Sequence, residues 1–470
     1  MGLFTKNKTE KVRKRTNIDT IVRVLRIEKK LIKKANHLHF FSFIVFLITM
    51  AVILNLSFFG TVAASTIKTK TDILKTFKNG TYLVVFQNNS EMRPTGGFIG
   101  SFATVTFSDY KVQKIDFNTN IYKLDDAFTA KNQVAPPAPL AVVSHNHWAL
   151  RDSNFAIDYP TAAKDIQWFF AQESGQKVDG VIAVNASVVQ DLLKMTGPVY
   201  LAKYQTTISA DNFFDQMAEK IEKEYFYDAS HQTENEPKTI LKDLMPILMN
   251  KAFSLPKVQL VKFVLQTMNQ KQILFQSNND QIEQAILANN WGGEIQSSNS
   301  DYLAINNANI TDLSLQKNGG AKTSLKVKES VDYRVSNLDD NLVANLALTR
   351  SHTGSYAWPD GTNVNWTRIL VPVGSTLQKA ELNGQNIMDK IQISEDAGKT
   401  TFSLWLNTNP QTSNVLNLSY KLPISTQNYH LLVQKQPGNL GDKLFASFNN
   451  QVLFNGVLDT DKDIKLKNKK

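Results

Sequence analysis

An α/β domain followed by an all-β, sandwich-like domain, both held outside a membrane by one N-terminal transmembrane helix, is the architecture this sequence predicts. Three observations predict it. Residues 40–62, FFSFIVFLITMAVILNLSFFGTV, form an uncharged run behind a strongly basic segment. In residues 70–300, short apolar strands alternate with stretches of helical spacing. In residues 310–460, short alternating runs recur between Gly, Asn, Asp and Pro, the texture of a sandwich.

The N-terminal elements come first. Coiled as a helix, the 23-residue run extends about 35 Å, enough to cross a bilayer core of roughly 30 Å. Residues 1–37 carry twelve Lys/Arg against three acids, Glu10, Asp19 and Glu28. Basic flanks stay on the cytoplasmic side, so residues 1–37 are expected inside, residues 38–64 in the membrane and residues 68–470 outside. Within the tail, Ile21, Val22, Leu25, Leu31 and Ile32 alternate with Arg and Lys, a pattern that suits a short helix lying on the inner leaflet. A solvated tail with no partner is the plainer alternative. A cleaved signal peptide ending near Val62-Ala63-Ala64 is a second reading of the run. Its apolar part would be far longer than the roughly 7–15 residues such peptides use, so an uncleaved anchor is expected.

Charge and cysteine content exclude several function classes. The formal net charge is +10, and the excess of nine in the tail leaves about one positive charge for everything after it. No basic field reaches over the outer part, so no nucleic-acid partner is expected. The 470 residues contain no cysteine, which excludes disulfides, thiolate zinc sites, iron–sulfur clusters and cysteine nucleophiles.

In the outer part, TYLVVFQ (81–87) reads as a buried strand. The turn-like NNSEMRPTGG follows, then strands at 98–107 and 112–117 joined at Ser108-Asp109. Residues 118–140 read as an irregular loop ending in VAPPAPL, of a length that is often functional. VDGVIAVN (178–185) reads as a strand, with Asn185 capping a helix that Thr196-Gly197-Pro198 stops. Helical spacing then marks 213–221, 240–253, 258–268 and 282–287, a helical insertion within the 70–300 domain. The boundary to the β-domain is expected between 300 and 330.

Two loops have the residue types for anion chemistry. In Glu91-Met92-Arg93-Pro94-Thr95-Gly96-Gly97, the glycines permit close backbone approach to an oxyanion, and Arg93 supplies a forked donor. A strand follows rather than a helix, so this is neither a Walker nor a dinucleotide loop. The plainer reading is a glycine hairpin turn whose Arg93 pairs with Glu91 at the surface. In Leu150-Arg151-Asp152-Ser153-Asn154, an adjacent Arg-Asp pair can hold a phosphate and a divalent metal together. Here the plainer reading is a loop closed by its own ion pair and Asx turns. His145 and His147 could share a strand face, but no third ligand is evident. Asp125-Asp126 are read as solvated turn carboxylates. No Gly-x-Ser-x-Gly, His-Glu-x-x-His or EF-hand pattern occurs.

The succession NNSEMRPTGGFIGSF, LRDSNFAIDYPTAA and VDGVIAVNASVVQDLLKMTGPV resembles the domain-of-unknown-function 4012 family, membrane-anchored bacterial extracytoplasmic proteins with no assigned activity. The resemblance extends into Asp301-Tyr302-Leu303, NWTRILVPVGS and residues 433–438. A more distant resemblance is to the LytR–CpsA–Psr family, which transfers lipid-linked glycans to peptidoglycan. It implies Arg93 and Arg151 on pyrophosphate and Asp152 on Mg²⁺ or as base, with Asp158, in substrate binding, and Asp179 as further additions; Gly96 and Gly97 enter as substrate-binding residues from the glycine loop itself. The family's Arg-Ser-Asp-Thr signature is absent, replaced by MRPTGG. Two expectations follow for a membrane-anchored cell-envelope protein. One is a phosphotransferase-like enzyme acting on a lipid-linked glycan or cell-wall polymer. The alternative is a non-catalytic scaffold or binding protein that uses the β-domain.

Overall fold

A computed structural model describes residues 78–144, 147–224, 238–311, 322–338, 341–424 and 429–466. The basic tail, the expected membrane helix of residues 38–64 and His145 lie outside the described residues. Among the described residues, no helix is long and apolar enough to cross a membrane.

The N-terminal part is α/β. Its five-stranded sheet is built from β1 (Asn79–Arg93), β2 (Gly96–Ser108), β3 (Lys111–Asn118), β4 (Gly180–Asn185) and β7 (Ile273–Ser277), in the order β3-β2-β1-β4-β7. Only the β1–β4 pairing is parallel, because only there does a long crossover return the chain in the same direction. That crossover holds α1 (Ile121–Thr129) and α2 (Tyr159–Ser174). Tyr82, Val84, Val105, Ile182 and Val184 face one side of the sheet, under α3 (Ser187–Thr196), α5 (Thr239–Phe253) and α6 (Lys257–Asn269). Leu83, Val85, Val181 and Ala183 face the other, under Ala162, Ile166 and Phe170 of α2. The period-two alternation of these strands therefore feeds two cores. The remaining elements, β5 (Val199–Leu201), β6 (Thr206–Ile208), α4 (Phe213–Ala218) and α7 (Asp280–Ala288), lie between or beside these layers.

Three local expectations change. The NNSEMR stretch belongs to β1, which pairs with β2 up to Arg93–Gly96, so the turn shrinks to Pro94-Thr95. Residues 121–129 of the supposed loop are helical, with Ile121, Asp125 and Phe128 buried. Asn185 ends β4 instead of capping α3; Ala186 holds the cap position and the Asn185 amide donates to Gln272 O at 3.2 Å.

The C-terminal part is all-β. A six-stranded sheet runs β14 (Gln392–Asp396), β15 (Lys399–Trp405), β11 (Asn365–Pro372), β8 (Asp301–Asn309), β17 (His430–Gln434) and β20 (Lys462–Lys465). A seven-stranded sheet runs β13 (Gln385–Asn386), β12 (Thr376–Leu382), β16 (Ser413–Leu422), β10 (Asn341–His352), β9 (Val327–Leu338), β18 (Asp442–Phe448) and β19 (Gln451–Leu458). One apolar core lies between them, with Leu303, Ile369 and Phe402 from the first sheet against Tyr333, Leu346 and Leu418 from the second. At its edge Asp301 is fully buried and accepts from Tyr333 at 2.9 Å and Tyr429 at 2.6 Å, tying the two sheets by hydrogen bonds.

Candidate functional site

The β1–β2 hairpin is one of the elements that meet the second domain. Its Pro94 carbonyl accepts from Asn306 Nδ2 at 2.9 Å and from Gln436 Nε2 at 3.3 Å. Asn89 donates to Gly438 O at 2.8 Å. Gly96 has φ +142°, and a Cβ there would collide with the Gln87 and Asn185 side chains. A Cβ on Gly97 would strike the Asn88 backbone, and one on Gly438 would lie 2.7 Å from Gly96 Cα. These glycines are present because backbone approaches backbone, the use glycine serves at such contacts. The hairpin tip is buried in protein.

Arg93 projects from this hairpin and is 3% exposed. Its Nε and Nη2 donate to Asp152 Oδ1 at 3.2 and 3.0 Å, and Nη2 also reaches Glu91 Oε1 at 3.0 Å. Nη1 donates to Asn309 O at 2.6 Å and Met92 O at 3.4 Å. Glu91 Oε2 in turn accepts from Lys322 Nζ at 2.8 Å. Burial alone would depress the Arg93 guanidinium, but Glu91 and Asp152 outweigh it and hold its pKa above the ordinary value. Glu91 is lowered despite burial, because Lys322 and Arg93 stabilise its charge. Arg93 thus pairs with Glu91, as the plainer reading has it, but in the interior.

Arg151 stands on the other side of the same carboxylate. Its Nε lies 3.8 Å from Asp152 Oδ2 and 3.5 Å from Asp125 Oδ2, and Nη1 lies 3.9 Å from Asp126. Its guanidinium sits 5.2 Å from the Tyr122 ring centroid. The fold therefore brings Arg93, Arg151 and Asp152 together. Asp158 is elsewhere in role: it is the N-cap of α2, accepting from Thr161 N at 3.1 Å and Thr161 Oγ1 at 2.7 Å, while its other oxygen accepts from Ile295 N at 3.0 Å. Asp179 accepts from Thr81 N at 2.7 Å across the sheet. No group of three or more metal-ligating side chains occurs among the described residues.

Sequence reasoning missed two parts of this cluster. Asp125 is fully buried beside the Glu173 carboxyl, and neither of its oxygens accepts a hydrogen bond among the described residues. Burial first, then Glu173, pushes Asp125 up to about 9. The signal was present: Ile121, Asp125 and Phe128 fall on one helical face. Lys322 and Asn309, which complete the Arg93 cage, had no local signal.

Between the hairpin and the second domain opens a small, shallow cleft with about 60 Å³ of enclosed space, lined among others by Met92, Asn307, Glu329, Arg350, Gln436 and Asp442. Glu329 Oε1 is 2.7 Å from Arg350 Nε, and Asn307 Nδ2 donates to Glu329 at 3.1 Å. Asp442 is pushed up to about 7 by burial and by Glu329.

Residues 78–221 match the DUF4012 family model, described as a protein of unknown function. No curated protein matches the chain. Among solved structures, a candidate nutrient binding protein from Legionella pneumophila shares 11% identity over 26% of this chain and 50% of its own, with a TM-score of 0.20. Leukotriene A4 hydrolase from Saccharomyces cerevisiae shares 11% over 26% and 23%, TM-score 0.18. The M1 zinc metallopeptidase from Deinococcus radiodurans shares 16% over 30% and 39%, TM-score 0.13. The chain thus spans half or less of each, and likenesses at these scores carry no argument about fold or activity.

Proposed function

Taking residues 78–221 as a DUF4012 segment, we propose that this chain is a membrane-anchored cell-envelope protein that acts by binding, with the α/β domain as scaffold and the β-domain as the binding element. The observation that carries this reading is the state of Arg93. Its guanidinium is buried, and all three nitrogens donate within the protein. Holding a pyrophosphate would require breaking those bonds and leaving Glu91 to Lys322 alone and Asp152 to Arg151 at 3.8 Å, a loss of about 3 kcal/mol, the lower end of the cost of splitting a buried ion pair. Gly96 and Gly97 are filled by neighbouring backbone and side chains and leave no cradle for an oxyanion. The cleft beside the hairpin is a better receptor. Amides, a fixed Glu329–Arg350 pair and the apolar Met92 give it the mixed character that suits a hydroxyl-rich glycan.

The enzyme reading retains one supporting observation. Arg151 is 23% exposed, and its contacts among the described residues are long ion pairs and the face of the Tyr122 ring, which leaves donors for an anion. The two readings separate in one pair of assays on the full chain in detergent. Co-sedimentation with isolated cell wall is expected, and to be lost in Asp442→Ala. Calorimetric titration with a short-chain polyprenyl pyrophosphate is expected to give no heat, with or without Mg²⁺. Mg²⁺-dependent heat that vanishes in a folded Arg151→Ala variant would instead move the chain to the glycan-transferring enzymes.

A further inference from the structure

Away from the arginine cluster, a second buried charge group joins the two domains. Lys271, in the connection leading into β7, is fully buried with φ +54°. A lysine holds that left-handed backbone only where its surroundings impose it. Its Nζ lies 2.7 Å from Oδ2 of Asp461, 190 residues away in the loop between β19 and β20. Asp461 is gripped on both oxygens. Asn290 Nδ2 and Gln296 Nε2 donate to Oδ2 at 2.8 and 3.1 Å, and the Lys435 backbone N donates to Oδ1 at 2.9 Å. A third ionisable group, Glu294, lies within electrostatic range of both partners and has its Oε2 buried without a hydrogen bond.

We propose that Lys271 and Asp461 condense into an intramolecular isopeptide bond, a covalent staple between the α/β and β domains, with Glu294 carrying the proton. The step balances without any cofactor. One proton passes from the ammonium to the carboxylate, giving a neutral amine and a carboxylic acid. The amine nitrogen then attacks Cγ; the Nζ–Cγ bond forms, a Cγ–O bond breaks, and the second nitrogen proton leaves with that oxygen as water.

Three features favour this over a permanent ion pair. In water the two groups are solvated and separate, whereas here they are held in contact away from solvent, Lys271 fully buried and the Asp461 side chain 9% exposed. The neighbouring Lys435 shows what this interior does to an amine, pushed down to about 7 by burial and then by Lys271. Fixed contact of the two groups replaces a bimolecular encounter with a unimolecular one. Each Asp461 oxygen has at least one fixed donor besides Lys271, Asn290 and Gln296 on Oδ2 and the Lys435 backbone N on Oδ1, so whichever oxygen carries the charge on attack is met by a hydrogen bond. Glu294, pushed up to about 7 chiefly by burial, can accept a proton and return it near neutrality. The chain has no cysteine, so a covalent tie between its domains must use another chemistry.

The test is mass spectrometry of the full-length chain, denatured. The cross-linked protein weighs one water less than its sequence, resists trypsin after Lys271, and yields one branched peptide containing both Lys271 and Asp461. A folded wild-type chain at full sequence mass, with the two peptides separate, overturns the proposal without recourse to any variant. Lys271→Arg keeps the ion pair but cannot condense in this way, so the lost water is expected back. Glu294→Gln is expected to fold and remain uncross-linked. Complete cross-linking in that variant would remove Glu294 from the mechanism and leave the bond standing.

Discussion

At the scale of single residues, Asp125 shows how burial converts a charge into a pH response. Its carboxyl is raised from 3.8 to about 9, so the folded state keeps a proton that the unfolded chain releases. The resulting stability is fully present below the unfolded value. It is lost as pH rises towards the folded one, at up to about 1.4 kcal/mol per pH unit for a single group. Asparagine mimics the protonated form without this penalty. Asp125→Asn is therefore expected to gain roughly 1–3 kcal/mol at pH 7 and to flatten the decline between pH 5 and pH 8. Denaturant titrations at several pH values check this, and an unchanged slope would assign the proton to another group.

At the scale of elements, the hairpin shows a motif doing structural work that its composition left ambiguous. MRPTGG is compatible with an anion loop and with a tight turn, because glycine permits both. The register Met92–Gly97 and Arg93–Gly96 selects the turn. Gly97→Ala would drive a methyl into the Asn88 backbone, which cannot move aside. The expected loss is roughly 3 kcal/mol or more, at the upper end of overpacking costs. A thermal melt of the variant within a degree of wild type would show that the strand pair tolerates separation. Helix α2 carries a related lesson. Asp158 followed by Pro160 is an N-cap signal legible in the sequence, and the cap rather than a ligand is the role its hydrogen bonds fill.

At the scale of the whole molecule, the two domains share buried polar contacts rather than a flexible linker. Arg93 reaches Asn309, Gln436 reaches the Arg93 carbonyl at 3.1 Å, and Arg368 reaches the Phe155 carbonyl at 3.3 Å. Domains joined by groups that are costly to leave unpaired should unfold together. A single calorimetric transition is expected for wild type. Arg93→Ala leaves Glu91 to Lys322 alone and Asp152 to Arg151 at 3.8 Å, so it should lose about 3 kcal/mol and uncouple the domains into two transitions. One sharp transition at the wild-type temperature would mean that water replaces the guanidinium without cost.

The order of layers was legible in the sequence because it depends on local periodicity. Strands alternate every second residue and helices repeat near every fourth, so 81–87, 178–185 and the runs beyond 300 declared themselves as strands, the first two in an α/β region and the rest in a β-rich one. Which charges meet was not legible. Arg93 finds Asp152 at 59 residues and Asn309 at 216, and Lys271 finds Asp461 at 190. Those separations are set by how sheets cross and stack, about which a window of a few residues holds no information. Arg93 and Arg151 look alike in the sequence, each beside an acid. Only the tertiary structure decided that one is walled in with its donors engaged while the other remains partly open. The reason is desolvation: the same guanidinium is a surface donor in water and an internal cross-link once the second domain covers it.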